Sequence, residues 1–145
     1  MAAILSAEHL SKSYTLKKLL TDVTIYIGEH DRIGVVGVNG TGKSTLLKLL
    51  AGMEEPDGGV VMRKNGLRVS YLPQMPDYSV ARTAVQQVLY DAPKDVGAPD
   101  EYEAKSLLSQ FGIGDFDADV RTLSGGQKKR IALAAALIRP VDLLL

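Results

Sequence analysis

The sequence predicts an α/β fold, with a parallel sheet flanked by helices, an antiparallel β subdomain and an α-helical insertion. Three observations support this. Apolar residues alternate in the first segments, the run Arg32–Gly37 is apolar without alternation, and helical periodicity begins near Val80. An apolar strand without alternation is typical of a parallel sheet that is buried on both faces. The 145 residues suffice for one domain.

The first elements follow from local patterns. Ala2–Leu10 and Val23–Ile27 alternate and are predicted as strands with one wetter face. The helix that starts near Lys43 is predicted to carry an apolar stripe of Leu46, Leu47, Leu49 and Leu50, with Gly52 as its C-cap.

The later elements alternate between short strands and amphipathic helices. Strands are predicted on either side of a turn at Asn65-Gly66, at Gly59–Arg63 and Arg68–Leu72. Helices are predicted at Ser79–Asp91, Asp100–Ile113 and from about Gly125 to Arg139, with a loop at Ala92–Pro99 and a stop at Pro140. We interpret 1–145 as one incomplete domain, with a core of 1–79 and 121–145 and a helical insertion at about 80–120.

Composition excludes several classes of function. The 17 basic and 17 acidic side chains balance, so no overall field directs the chain to nucleic acid or membrane. The absence of cysteine excludes disulfides and thiolate metal sites. The N-terminus has no basic leader, and the longest apolar run, Ile131–Ile138, is too short to span a bilayer. We therefore expect a cytoplasmic protein.

A glycine-rich segment carries the clearest chemical signal. Gly37–Ser44 (GVNGTGKS) satisfies the pattern G-x-x-x-x-G-K-[ST], and it stands between a predicted strand and a predicted helix. Polyphosphate is held by converging backbone N–H groups, which requires glycines, and by the positive end of the following helix. A simple turn would explain the glycines but not the Gly-Lys-Ser at the helix start. The predicted phosphate-binding residues are Gly37, Asn39, Gly40, Thr41, Gly42, Lys43, Ser44 and Thr45, with Ser44 also a Mg²⁺ ligand.

A second glycine motif precedes the last helix. Leu123–Gln127 (LSGGQ) could be a simple helix N-cap. Lys128, Lys129 and Arg130 follow in the first turn, where each cation opposes the helix dipole by about 0.3–1 kcal/mol. An anion at this helix end would offset that cost, and a solvated basic face remains the alternative.

Together, GVNGTGKST and LSGGQKKRIALAAALI resemble the nucleotide-binding domain of ATP-binding cassette (ABC) proteins, over essentially the whole chain. The resemblance implies ATP and Mg²⁺ as cofactors, held between two cassettes that pack head to tail. Ser124, Gly125, Gly126 and Gln127 would then contact nucleotide on a second cassette.

The resemblance also assigns two residues that no pattern singles out. Tyr14 matches the aromatic residue that stacks on adenine, although alone it would more often be a packing residue. Gln74 matches the glutamine that touches Mg²⁺ and the attacking water, which makes Gln74 and Lys43 the candidate catalytic residues.

Two classes within this family fit the sequence. The segment Leu10–Gly52 looks most like the first cassette of the ABC-F class, whose members act on the ribosome and tRNA. The alternative is the ATP-binding subunit of a transporter, which presses against a membrane permease. A third possibility is a non-catalytic nucleotide-binding fragment.

The resemblance places the Walker B aspartate and the catalytic glutamate just beyond Leu145. We therefore expect an ATPase parent protein and a 145-residue chain that binds ATP but lacks the general base. An apolar sheet edge left open at this end would favour self-association of the chain.

Overall fold

The computed structural model describes residues 2–94 and 97–145, which divide into two compact units. One unit contains the residues up to Tyr71 together with Leu145, and the other is Leu72–Leu144. The predicted insertion at about 80–120 is a different division of the chain and stays a prediction. The predicted loop Ala92–Pro99 lies partly outside the described residues.

The first unit contains a three-stranded antiparallel sheet and one helix. The strand order is β2-β1-β3, and both pairings are antiparallel, as predicted for the β subdomain. The elements are β1 (Ala3–Tyr14), β2 (Lys17–Gly28), α1 (Lys43–Ala51), β3 (Gly58–Arg63) and β4 (Val69–Ser70). The helix has the predicted C-cap, because Gly52 adopts φ 79° and donates its N–H to the carbonyl of Leu49.

A bulge interrupts the alternation of β1. Leu5, Ala7 and Leu10 are all buried, so the period of two breaks between the last two. His9 absorbs the extra residue with φ 53°, and its Nδ1 lies 2.5 Å from Oδ1 of Asp22 on β2. Gly59 on β3 packs against this bulge, since a Cβ there would lie 2.4 Å from the carbonyl oxygen of His9. Only glycine fits at that contact.

The apolar run Arg32–Gly37 is not a strand in the structure, so its prediction as a buried strand is wrong. Val36 is 92% exposed and Ile33 is 49% exposed. A strand of this kind is hidden only when strands flank it and helices cover it. The three-stranded sheet of this unit forms without it, so these side chains remain exposed to a large extent.

The strand β3 pairs with β1, and β4 is only two residues long. The predicted turn at Asn65-Gly66 is present, with Gly66 at φ 74° and the N–H of Leu67 donating to the carbonyl of Lys64. The predicted strand Gly59–Arg63 is confirmed by β3, whereas of the predicted strand Arg68–Leu72 only Val69–Ser70 form a strand. Long-range pairing with β1 takes the place of a local hairpin.

The second unit consists of three helices around an apolar core. They are α2 (Ala84–Asp91), α3 (Glu101–Gln110) and α4 (Gly125–Leu137), with a 3₁₀ turn at Val120–Thr122 and a short β5 (Leu143–Leu144). The helices α2 and α3 start later than predicted because Thr83 and Asp100 cap them, and α3 and α4 end earlier than predicted. The core joins side chains from all three helices, including Val85, Val88, Ala104, Leu108, Ile131 and Ala135.

An ion pair connects the region after α4 with α3. The Arg139 guanidinium donates to both carboxylate oxygens of Glu103, at 2.8 Å and 3.1 Å. This contact, together with the N–H of Asp100, lowers the pKa of Glu103 to about 2. Within the described ranges, no helix has the length and apolar character needed to cross a bilayer.

Candidate nucleotide-binding site

The glycine-rich segment leads directly into α1, which begins at Lys43. Gly40 and Gly42 adopt φ 82° and 96°, conformations that other residues rarely adopt. Gly37 is needed for space, because a Cβ there would lie 2.9 Å from the Thr41 hydroxyl. The loop therefore has the backbone freedom and openness that converging N–H groups require.

Side chains at the loop donate hydrogen bonds to carbonyl groups of the same loop. The Thr41 hydroxyl donates to the carbonyl of Val38 at 2.7 Å. The Lys43 ammonium donates to the same carbonyl at 3.1 Å and to the carbonyl of Gly37. Lys43 thus lies over the loop, which is where a phosphate-binding lysine has to be. Asn39 and Ser44 are not buried, and neither side chain hydrogen-bonds within the described residues.

The start of α1 is open to an anion. Its N-cap is Gly42, so no side chain accepts from the first-turn N–H groups, and the first turn has no acidic residue. Such a helix end has unpaired donors and a partial positive charge. With the Lys43 ammonium beside it, this end has the chemistry of a phosphate site.

Tyr14 lies in the same unit, at the end of β1. The residue is 44% exposed, and its hydroxyl donates to Glu54. That bond raises the pKa of Tyr14, and a hydrogen bond with Thr45 opposes the rise. Both residues belong to the first unit, and Tyr14 ends the strand that pairs with the start of β2.

The beginning of β2 also contacts the loop, which sequence reasoning missed. A Cβ on Gly42 would lie 3.2 Å from the carbonyl oxygen of Leu19, and a Cβ on Gly40 would lie 3.5 Å from the Lys17 ammonium. The alternating apolar pattern that predicted this strand begins only at Val23. No motif therefore pointed to Lys17 or Leu19.

LSGGQ forms the start of α4 in the second unit. The Ser124 hydroxyl accepts from the N–H of Gln127 at 3.2 Å, and the Gln127 side chain accepts from the N–H of Ser124 at 3.0 Å. These two side chains therefore form a capping box. Gly125 and Gly126 are exposed, and a Cβ at either would meet nothing within 4 Å.

Gln74 lines an open cavity of about 380 Å³ in the second unit. Pro73 and Pro76 flank it, and Lys129 and Arg130 of α4 contribute to the lining. Two of the three first-turn cations of α4 are therefore placed at this cavity. The loop residues and Tyr14 belong to the first unit, whereas Gln74 and Ser124–Gln127 belong to the second.

Known proteins resemble this chain over nearly all of its length. It is 34% identical to the uncharacterized ABC transporter ATP-binding protein YfmR of Bacillus subtilis, over 99% of the chain and 29% of that protein. It is 36% identical to the zinc import ATP-binding protein ZnuC of Magnetococcus marinus, over 97% of the chain and 54% of that protein. The chain thus spans less than two thirds of either relative.

The fold also matches a solved structure of part of an ABC transporter. This is cbiO1 from Clostridium perfringens, part of the ABC transporter complex cbiONQ, with a TM-score of 0.75 and 25% identity. The match covers 99% of this chain and 64% of that one. The matched structure has a P-loop NTPase fold of mixed α/β content, so the predicted α/β fold class is confirmed. The sequence pattern of the family described as "ABC transporter" matches residues 20–145, and the chain therefore belongs to the ABC transporter family of ATP-binding domains.

Proposed function

We propose that this chain binds Mg-ATP as part of a cassette that energises a membrane transporter. The observation that carries the proposal is the open start of α1, where Lys43 lies over a glycine loop and no side chain caps the helix. Family membership supports ATP as the ligand. The names of the relatives, a zinc import protein among them, support transport as the work done.

Each candidate site residue of the first unit has a role in this proposal. The loop amides and Lys43 bind the phosphates, and Tyr14 stacks on the base. The partly exposed Ser44 hydroxyl, which makes no hydrogen bond among the described residues, suits an oxygen ligand of Mg²⁺. The bound ion would neutralise charge on the β- and γ-phosphates.

The second unit would act on nucleotide through a partner cassette. Gly125 and Gly126 leave their surface free of side chains, although no neighbour within the described chain requires that space. A close approach by another molecule is the physical reason for glycine at such positions. We assign Ser124 and Gln127 to the same surface, and Gln74 to sensing the metal-bound phosphate.

The transporter proposal replaces the ribosomal one that the sequence resemblance favoured. YfmR, ZnuC and cbiO1 are described as ATP-binding proteins or parts of transporters, and none of these descriptions mentions a ribosome or tRNA. A membrane permease is therefore the partner we propose. After crosslinking in cells, we expect the protein to sediment with membranes, and sedimentation with ribosomes would favour the ABC-F class.

Nucleotide binding can be tested with Lys43→Ala and a fluorescent ATP analogue. Loss of a hydrogen bond to a charged group should raise Kd about 10- to 100-fold. Lys48→Ala is the matched control, because Lys48 lies in the last turn of the same helix and should leave Kd unchanged. Equal affinities for the two variants would contradict the proposal.

A further inference from the structure

We propose that Lys17 is a second cation of the nucleotide site and contacts the polyphosphate of the bound nucleotide. The inference rests on the proposed function, since it concerns the same ligand. It starts from the contact between β2 and the glycine loop, which no sequence motif indicated.

The hairpin between β1 and β2 places Lys17 directly opposite Tyr14. The two residues are Cα partners across the antiparallel pair, and only Thr15 and Leu16 connect them. Thr15 has φ 53°, which closes this short turn. A nucleotide whose base stacks on Tyr14 would therefore lie beside the start of β2.

The Lys17 ammonium reaches the phosphate loop itself. It lies 3.5 Å from the position that a Cβ on Gly40 would occupy, and because Gly40 is glycine no side chain separates the two. Leu19, two residues further along β2, contacts Gly42 through its carbonyl and its side chain. The start of β2 therefore packs on the loop, with Lys17 beside Gly40 and with Leu19 and Leu20 beside Gly42.

Lys17 differs from Lys12 and Lys64 of the same unit in its surroundings. The Lys12 ammonium lies 3.6 Å from Oδ1 of Asp57, and the Lys64 ammonium lies 3.2 Å from Oε1 of Glu29. Among the described residues, no carboxylate forms an ion pair with Lys17. It adjoins a loop that already holds the Lys43 ammonium and the positive end of α1. Positive charge without a protein counter-ion accumulates here, and a polyphosphate would supply the missing negative charge.

The test compares Lys17→Met with Lys18→Met by titrating the full chain with ADP and ATP analogues. Lys18 is the matched control, because it is the next residue of the same strand and faces the opposite side. We expect Lys17→Met to raise Kd about fivefold, as an exposed ion pair does, and Lys18→Met to leave it unchanged. Lys17→Arg should restore most of the affinity, and the effect should shrink at high salt.

The outcomes separate the two proposals. If Lys43→Ala weakens binding and Lys17→Met behaves like Lys18→Met, the role of Lys17 is overturned and the proposed function stands. If the wild-type chain binds no nucleotide, both are overturned. Thermal unfolding of each variant shows whether it is folded, and the Lys17→Arg variant reports on charge where Lys17→Met is unstable.

Discussion

The two glycine-containing helix starts of this chain satisfy their backbone donors in different ways. At α4, Ser124 and Gln127 accept and return hydrogen bonds in a capping box. At α1, the N-cap is Gly42, which has no side chain to accept a bond. The motifs look alike in sequence, but one helix end is closed by its own residues and the other is open.

The difference teaches what each motif contributes. The open end of α1 has donors for an incoming anion, so under the proposed function backbone groups and Lys43 would hold the ligand. The start of α4 already uses its serine for stability. An approaching molecule would find there mainly the bare surface of Gly125 and Gly126. Three substitutions at these helix starts would break or sharpen this contrast, and a fourth tests the ion pair of α3; they are ordered from the largest expected effect to the smallest.

Gly42→Ala should destabilise the first unit by about 1–3 kcal/mol, because alanine is strained at φ 96°. Its Cβ would also press on the Leu19 carbonyl at 3.2 Å. Urea unfolding measures the loss. Gly34→Ala is the control, since a Cβ at Gly34 meets nothing within 4 Å, and similar losses for both would show that the open helix start has no special backbone requirement.

Ser124→Ala should cost about 1 kcal/mol of unfolding free energy, because α4 loses its cap. Ser124→Asp should retain the stability, since aspartate caps equally well, while it places a negative charge where a nucleotide would approach. Thermal unfolding and nucleotide binding measured on both variants separate the two roles. An unchanged stability in Ser124→Ala would show that the capping box contributes nothing.

Gly126→Ala should change stability in the opposite direction, with a gain of up to about 1 kcal/mol. Alanine has the better helix propensity, and its Cβ would meet nothing within 4 Å. Gly112→Ala is the contrasting control, because Gly112 has φ 78° and should lose stability. A loss at Gly126 would mean that the surface is not bare.

Glu103→Gln should have the smallest effect and should depend on pH. The pKa of Glu103 is lowered from 4.5 to about 2, so its ionised form stabilises the fold above its usual pKa. That contribution is lost as the pH falls through about 2. Urea midpoints of the variant and the wild type should therefore differ near neutral pH and converge in acid. A constant difference would point to packing instead of charge.

Local signals explain which elements could be predicted. The stripe of α1, its Gly52 cap and the Ser124 cap follow from residues that are close in sequence. The start of α2 was readable too, because Thr83 and Gln86 form a capping pattern, yet the apolar periodicity extended the predicted helix back to Ser79. Short-range chemistry fixed these limits more accurately than periodicity did.

The failures concern contacts between distant residues. Whether Ile33 and Val36 are buried depends on strands that lie beside them. The local sequence pattern does not show whether such strands are present. The pairing of β3 with β1 could not be predicted for the same reason, because the two strands are distant in sequence. The first residues of β2 likewise gave no sign that Lys17 would reach Gly40. Such contacts are set by the register of the whole sheet.

The far end of α1 is attached to the sheet. Arg63 of β3 donates to the Leu50 carbonyl at 2.7 Å, and Gly52 leaves room for its guanidinium. One helix therefore joins the glycine loop to the sheet. A ligand that binds only when α1 is formed lowers the free energy of everything that folds with it. Occupancy of the loop is thus linked thermodynamically to the stability of β3, whose contact with α1 through Arg63 is at the helix end opposite the loop.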